Sequence, residues 1–304
     1  MYDVIIIGSG PSGLTAAIYT TRASLKTLLV AGEKWGGQLM LTTDVENFPG
    51  FPEGIQGPDL MSNMRKQAEK FGAEFIDENI KEVDFASSPF VITAGGKTYE
   101  GKSVIIATGA DTKWLGVPGE KEKIGRGVSS CAPCDAPFFR NKKVIVAGGG
   151  DSAMEEAIVL TRFAEEVTIV HRRGEFRASQ IMQEKAKANP KIKLLLNSQI
   201  TEIVGDQRVT GVKLIDKQTN KESEMPIDGV FVAIGHIPNS KVFKNIDVDE
   251  KGFIKVHEHT KTNVEGVFVA GDVHDKQYMQ AITAAGFGCA AALETERWLE
   301  SKKV

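Results

Sequence analysis

The stretch DVIIIGSGPSGLTAAIY, residues 3–19, decides how the chain folds. After Asp3, Val4–Ile7 form an apolar run of β-branched side chains, the pattern of a strand buried on both faces. Gly8, Gly10 and Gly13 follow at the spacing GxGxxG, and LTAAIY then repeats its apolar positions at helical intervals. A strand, a glycine-rich turn and a helix in this order begin a βαβ unit. The glycines allow a tight turn, a close approach of backbone to a pyrophosphate, and close helix–strand packing. The N–H groups exposed at the helix start then hold the phosphates. KTLLVAG (26–32) reads as the second strand of the unit. The acid that commonly ends that strand and binds a ribose hydroxyl is replaced by Ala31, with Glu33 close by.

The same grammar returns further along. KKVIVAGGG (142–150) is strand and turn, DSAMEEAIVLTRF (151–163) a helix, and EEVTIVHRR (165–173) the next strand. Gly148 and Gly150, with Ala153 in the third position, predict a second phosphate cradle. At the end of the second strand stands HRRGEFR (171–177). An acid there would favour NAD; His171, Arg172, Arg173 and Arg177 offer the opposite charge, and guanidinium forks match a 2′-phosphate, so NADPH is the expected ligand.

Two such units, far apart in the chain, imply two nucleotide-binding domains. The fold class is α/β, with two Rossmann-like three-layer domains, the second inserted in the first. The expected boundaries are 1–114 with 243–304 for the outer domain and 115–242 for the inserted one. LGVPGEKEKIG (115–125) reads as a linker and PNSKVF (238–243) as the second crossing. Between the units lie a helix around DLMSNMRKQAEKFG, strands around AEFIDENIKEVD and FVITAGGKTYEG, and the apolar run SVIIATGA. QAITAAGFGCAAALETERWLE (280–300) reads as one long helix.

The bulk properties of the 304-residue chain agree with two ordinary domains. A net charge of -3 gives no broad attraction to nucleic acid or anionic lipid. The N-terminus shows no signal-peptide pattern, and no run reaches the roughly 18 apolar residues of a membrane span, so the expectation is a cytoplasmic protein. Three cysteines are too few for a secreted disulfide scaffold.

Two of those cysteines, Cys131 and Cys134, lie in SSCAPCDAPFF (129–139), followed at once by Asp135. A metal would need two further ligands, and there is no second CxxC; no metal is expected. A structural staple over so short a loop would remove little chain entropy. Thiol–disulfide exchange suits the spacing, because the two sulfurs can close on each other quickly and Asp135 can move the proton the dithiol requires. Cys289, alone in an Ala- and Gly-rich helix, reads as a small buried hydrophobe, and His257 and His259 share one face of an expected strand without a third ligand.

Taken in order, IIIGSGPSGLTAAIY, GGQL with DVENFPG, IIATGA, CAPCD, GGGDSAMEEA, HRRGEFRAS, GHIPN and GDVHDKQYMQAITAAGFGCAAA resemble the low-molecular-weight thioredoxin reductases over nearly the whole chain. The resemblance implies an FAD- and NADPH-dependent oxidoreductase, a homodimer, that reduces thioredoxin or a thioredoxin-like small protein. It implies FAD at Gly8, Gly10, Ser12, Gly13, Glu33, Gly37, Gln38, Asn47, Gly109, Asp272, Gln280 and Ala281. It implies NADPH at Gly148, Gly150, Asp151, Ser152, Ala153, His171, Arg172, Arg173 and Arg177. Cys134 would face the flavin, Cys131 would attack the partner, and Asp135 would be the acid. Two residues depart from the family's commoner pattern: Pro133 between the cysteines, and Met279 where an arginine often precedes the Gln-Ala pair. The other readings are a different electron donor, such as a ferredoxin, and a flavin-binding redox sensor without turnover.

Overall fold

The computed structural model describes residues 1–302. They divide into two compact units, 1–111 with 237–302, and Thr112–His236.

In the first unit, strand β1 (Tyr2–Ile7) runs through the turn into helix α1 (Pro11–Arg22) and back to strand β2 (Thr27–Val30). Pro11 opens α1, where its missing N–H costs nothing because the first helical donors have no partner within the helix. β1 and β2 pair in parallel, and the sheet continues from β2 to Glu74–Ile76 on one side and from β1 to Lys97–Ile106 on the other. The strand Lys97–Ile106 serves two sheets' worth of partners. Its first half pairs antiparallel with Phe90–Ala94, and its second half pairs in parallel with β1 and with Val267–Val269. Its burial follows suit, from mostly exposed residues over 97–102 to a fully apolar buried run over Val104–Ile106.

Helices α1 and α2 (Gly57–Lys70) and the C-terminal helix Ala281–Ser301 cover one face of this sheet, through Leu14, Leu60, Met61, Ala291 and Leu299. The other face packs against Phe85, Phe90, Phe243 and Ile246. The long helix lies against α1 at a distance that only glycine permits. A Cβ on Gly288 would sit 2.1 Å from the carbonyl oxygen of Ser12.

The second unit holds a parallel sheet of five strands in the order Val128–Ser129, Gly229–Ala233, Lys143–Gly148, Glu166–Val170 and Ile192–Leu195. Its inner strands are buried on both faces, as a parallel sheet covered on both sides requires. On one face lie helices α3 (Ala132–Asp135), α4 (Asp151–Leu160) and α5 (Gln180–Lys187). The other carries a three-stranded antiparallel sheet, Ser198–Val204, Gly211–Asp216 and Glu222–Pro226, which contributes Ile200, Ile203, Val212 and Leu214 to the core beneath.

Three local expectations are corrected. Residues 115–125 are no free linker: Glu120 is buried and accepts hydrogen bonds from the backbone N–H groups of Leu115 (2.8 Å) and Gly116 (2.7 Å), folding the segment into the second unit. PNSKVF belongs to the first unit, because the Asn239 side chain donates to the carbonyl of Thr108 (3.2 Å) and Phe243 is buried against the sheet; the crossings fall at 111/112 and 236/237. His257 and His259 lie in a turn instead of a strand, with His259 at φ 52° and His257 Nε2 3.3 Å from a carboxylate oxygen of Asp247.

Replacing Gly288 by alanine is expected to cost about 1–3 kcal/mol, because its added carbon meets backbone that cannot yield. Gly286→Ala in the same helix, where a Cβ meets nothing within 4 Å, is expected to be neutral or to stabilise by up to about 1 kcal/mol. Denaturant unfolding of both variants beside the parent checks this; equal losses would contradict it.

Candidate active site

In the second unit Cys131 and Cys134 form a disulfide with their Cα atoms 5.3 Å apart. The geometry comes from α3, a single helical turn for which extended Cys131 is the N-cap. The backbone N–H groups of Cys134 (3.2 Å) and Asp135 (3.1 Å) both donate to the carbonyl of Cys131. Pro133 falls within that first turn, where a backbone N–H has no helical acceptor, so proline is accommodated there without loss. Ala132 and Ala136 seat the turn in the core.

Asp135 directly follows the second cysteine, and burial raises its carboxyl above the ordinary aspartate range, opposed by a hydrogen bond from Ser129. Ser129 also accepts the N–H of Cys131 at 3.1 Å. A carboxylic acid kept protonated further toward neutrality, next to a disulfide, is suited to giving a proton to a departing thiolate. Sequence reasoning missed Ser129. It also missed Glu156 on α4, whose buried Oε2 has no hydrogen-bond partner and whose pKa is pushed up to about 8, first by burial and then by the charges of Asp135 and Glu155. A signal for Glu156 was present. It lies three residues from Ala153 and four from Leu160, on the helix face that is otherwise apolar.

The second glycine turn is assembled with the arginine segment. A Cβ on Gly149 would meet the His171 ring at 2.3 Å, and the Gly149 carbonyl accepts the N–H groups of Arg177 (2.7 Å) and Ala178 (3.1 Å). Gly148 is held tightly, with the Ala233 carbonyl 2.4 Å from a would-be Cβ, whereas Gly150 faces open space at the start of α4. His171 is buried, stacks on Phe176 at 5.5 Å, and is held neutral by burial and by the three neighbouring arginines; its Nε2 has no partner. Arg172, Arg173 and Arg177 are exposed, and none makes an ion pair among the described residues. Ser152 is exposed and Ala153 fully buried. The Asp151 carboxylate accepts the N–H and hydroxyl of Ser179, both at 2.8 Å, which lowers its pKa.

In the first unit Gly8 (φ 111°) places its backbone against Ala107, whose carbonyl oxygen would stand 2.2 Å from any Cβ. Gly13 meets the Gly8 carbonyl in the same way at 1.9 Å, and Gly10 is open. The segment after β2 folds over this turn: Ser9 accepts the N–H of Gly36 (2.9 Å), and a Cβ on Gly37 would stand 3.5 Å from the Cα of Gly10. Gly109 also borders open space. Asn47 Nδ2 reaches Gln280 Oε1 at 3.4 Å, and Gln38 Nε2 reaches Asp111 Oδ1 at 3.0 Å. Gln280 caps the long helix that begins at Ala281. Ser12 packs beneath Gly271 and Gly288, and Glu33 is exposed with its N–H on Asn79.

Asp272 has a buried Oδ1 without a partner, and burial, with the charge of Asp275, raises its pKa to about 7. Such an atom is costly unless something donates to it. Asp275, which sequence reasoning passed over, accepts the N–H groups of Gln277, Tyr278 and Met279 and so holds Met279 at φ 48°. Among the described residues no cluster of His, Cys, Asp and Glu is arranged to hold a metal.

Residues 2–288 match the family model described as pyridine nucleotide-disulphide oxidoreductase. The chain is 54% identical over 301 residues to a thioredoxin reductase of Mycolicibacterium smegmatis, covering 98% of this chain and 97% of the relative. It is 51% identical to a bifunctional thioredoxin reductase/thioredoxin of Mycobacterium leprae, covering 98% of this chain and 66% of that longer protein. Among solved structures, the thioredoxin reductase of Streptococcus pyogenes is similar with a TM-score of 0.95 at 41% identity, covering 99% of each chain. The two glycine turns, the disulfide beside an acid and this agreement along the whole chain have one reading: the chain belongs to the pyridine nucleotide-disulphide oxidoreductases, among the thioredoxin reductases, which use FAD and NADPH.

Proposed function

We propose that this chain reduces the disulfide of thioredoxin through Cys131 and Cys134, with Asp135 as the acid. The observation that carries the residue roles is the closed Cys131–Cys134 disulfide on a one-turn helix beside a carboxyl of raised pKa. When bound, FAD takes a hydride from NADPH and supplies two electrons to the disulfide.

The first unit offers FAD what it needs: open backbone at Gly10 and Gly109, and an unpartnered buried oxygen on Asp272 that a ribityl hydroxyl would satisfy. Gln280 and Ala281 begin the long helix close in sequence to that aspartate. The second unit offers NADPH the open turn at Gly150 and three unpaired guanidinium groups for its 2′-phosphate. Asp151, bound to Ser179, orders the loop that follows the arginines and need not touch the nucleotide.

On the protein side, opening the disulfide requires a proton for the sulfur set free, and Asp135 is placed to give it. Loss of the Cys131 proton then yields a thiolate. That thiolate attacks the thioredoxin disulfide, one partner sulfur leaves, and Cys134 displaces the second while re-forming the Cys131–Cys134 bond. The M. leprae relative carries thioredoxin in its own name, which fits the same partner here. A ferredoxin donor or a sensor without turnover is not favoured: the relatives are reductases by name, and the arginine cluster suits NADPH.

A homodimer built on the first unit fits the apolar side chains it leaves exposed, Tyr19 on α1 with Ile282 and Leu293 on the long helix. A cytoplasmic setting fits a dithiol that must be regenerated. Among the described residues no helix is long and apolar enough to cross a membrane.

Cys131→Ser is expected to leave anaerobic bleaching of the flavin by NADPH intact while thioredoxin reduction falls by on the order of 10³-fold or more. Persisting turnover would remove Cys131 from the relay. Arg172→Gln with Arg173→Gln is expected to lower kcat/KM for NADPH by roughly 10–100-fold and leave NADH nearly unchanged; an equal loss for both nucleotides would deny the arginines their role. Sedimentation should give twice the monomer mass, and Ile282→Glu with Leu293→Glu should halve it; a monomeric parent would refute the dimer.

A further inference from the structure

α4 carries, on its buried face, a carboxyl group that neither the fold nor the nucleotide turn uses. Glu156 points an oxygen into the core with no hydrogen-bond donor to meet it. A packed apolar side chain would be cheaper at that place, since an unpartnered buried carboxyl loses its hydration for nothing in return. α4 packs against α3, the turn that carries the redox disulfide, and against the short helical turn Ala136–Phe139 that follows. It also packs against α5 and the strands Lys143–Gly148, Glu166–Val170 and Gly229–Ala233. Of the titratable groups on these elements, Asp135 on α3 is the one whose charge acts on Glu156 among the described residues, and Glu155 is the one on α4 itself. Lys143, Glu166, Glu184, Lys185 and Lys187 do not act on it. Among the described residues no cation acts on either carboxyl.

We propose that Glu156 is a positioning residue for the proton of Asp135: the two carboxyls form a store that supplies one proton, through Asp135, to the sulfur released when the Cys131–Cys134 bond opens. The proposal rests on the reading of Asp135 as the acid. Two like-charged groups in a dry site cannot both ionise easily, so one proton stays with the pair after the first has left. Burial raises both carboxyls, and the charge of an ionised Asp135 holds the proton on Glu156, whose pKa is pushed up to about 8.

The step balances. The S–S bond breaks as two electrons enter. One proton accompanies those electrons, derived from the hydride of NADPH, and the second comes from the store, so one disulfide becomes two thiols and the pair is left with one more negative charge. Solvent returns that proton before the next turnover. The two thiol hydrogens leave with the partner's dithiol, giving one NADPH and one proton consumed per partner disulfide.

The test is the pH dependence of thioredoxin reduction by the full-length holoenzyme, from about pH 6 to about pH 9, for the parent, Glu156→Gln and Asp135→Asn. Glu156→Gln is expected to move the alkaline fall in rate to lower pH by about one unit or more, so that near pH 8 its rate is roughly tenfold below the parent while near pH 6 the two agree within about twofold. A Glu156→Gln profile that superimposes on the parent after a single scaling overturns the proposal, because a purely packing role would change all pH values alike. Asp135→Asn separates the two ideas. If it slows turnover and abolishes the alkaline fall while Glu156→Gln leaves that fall in place, only the role of Glu156 is lost; if it changes nothing, the acid reading itself is lost.

A second measurement needs no variant. In the infrared spectrum of the parent enriched with ¹³C in its glutamate carboxyls, a protonated carboxylic C=O band near neutral pH should shift with the label and vanish as the solution is made alkaline. The absence of a label-sensitive band overturns the proposal.

Discussion

The carbonyl oxygen of Gly8 stands 1.9 Å from where a Cβ of Gly13 would be. That approach of turn to helix sets the angle at which α1 leaves the sheet, and much of the first unit follows from it. Because α1 starts so close to the strands, its N-terminal donors open onto the space at Gly10 instead of onto protein. Because α1 lies low on the sheet, the long C-terminal helix can reach it, and Gly288 is the residue that lets the two backbones meet. The second unit repeats the device with Gly148 wedged against the Ala233 carbonyl and Ala153. In both, close packing on one side of the turn creates an accessible backbone surface on the other.

Within the second unit the chemistry is distributed by dielectric. Exposed guanidiniums face solvent, where a phosphate could reach them, while the carboxyls Asp135 and Glu156 are taken into a drier environment that favours their neutral forms. His171 illustrates the boundary. It is kept neutral by its burial and by the three arginines near it, and its ring fills the space that makes glycine necessary at 149. A redox disulfide on a one-turn helix adds little rigidity of its own, and here its seating comes from Ala132 and Ala136 in the core.

Much of this was legible in the chain, and the parts that were not share a cause. The βαβ units could be read because fully buried parallel strands are continuous apolar runs and their turns need glycine. Lys97–Ile106 could not be read as one strand, since its solvent-facing first half alternates and its second half does not. Residues 115–125 looked like a linker because Gly, Pro and Lys dominate them, yet the single carboxylate of Glu120 satisfies two backbone donors and closes the segment on itself. The resemblance implies Asp151 and Ser12 as ligand contacts, and their protein neighbours come from distant segments: the Asp151 carboxylate accepts from Ser179, and Ser12 lies against Gly271 and Gly288.

By itself the sequence determined the α/β class, the two dinucleotide turns, the preference for a 2′-phosphate and the redox character of the CxxC, because each depends on residues within one short segment whose local geometry admits few alternatives. Only the tertiary structure decided which carboxyls are stripped of water and which are spoken for. Glu156 and Asp272 are left with unpartnered buried oxygens, while Glu120, Asp151 and Asp275 are satisfied by backbone or hydroxyl donors. Proton affinity is set by the groups that surround a side chain in space, and those come from elements far apart in the chain.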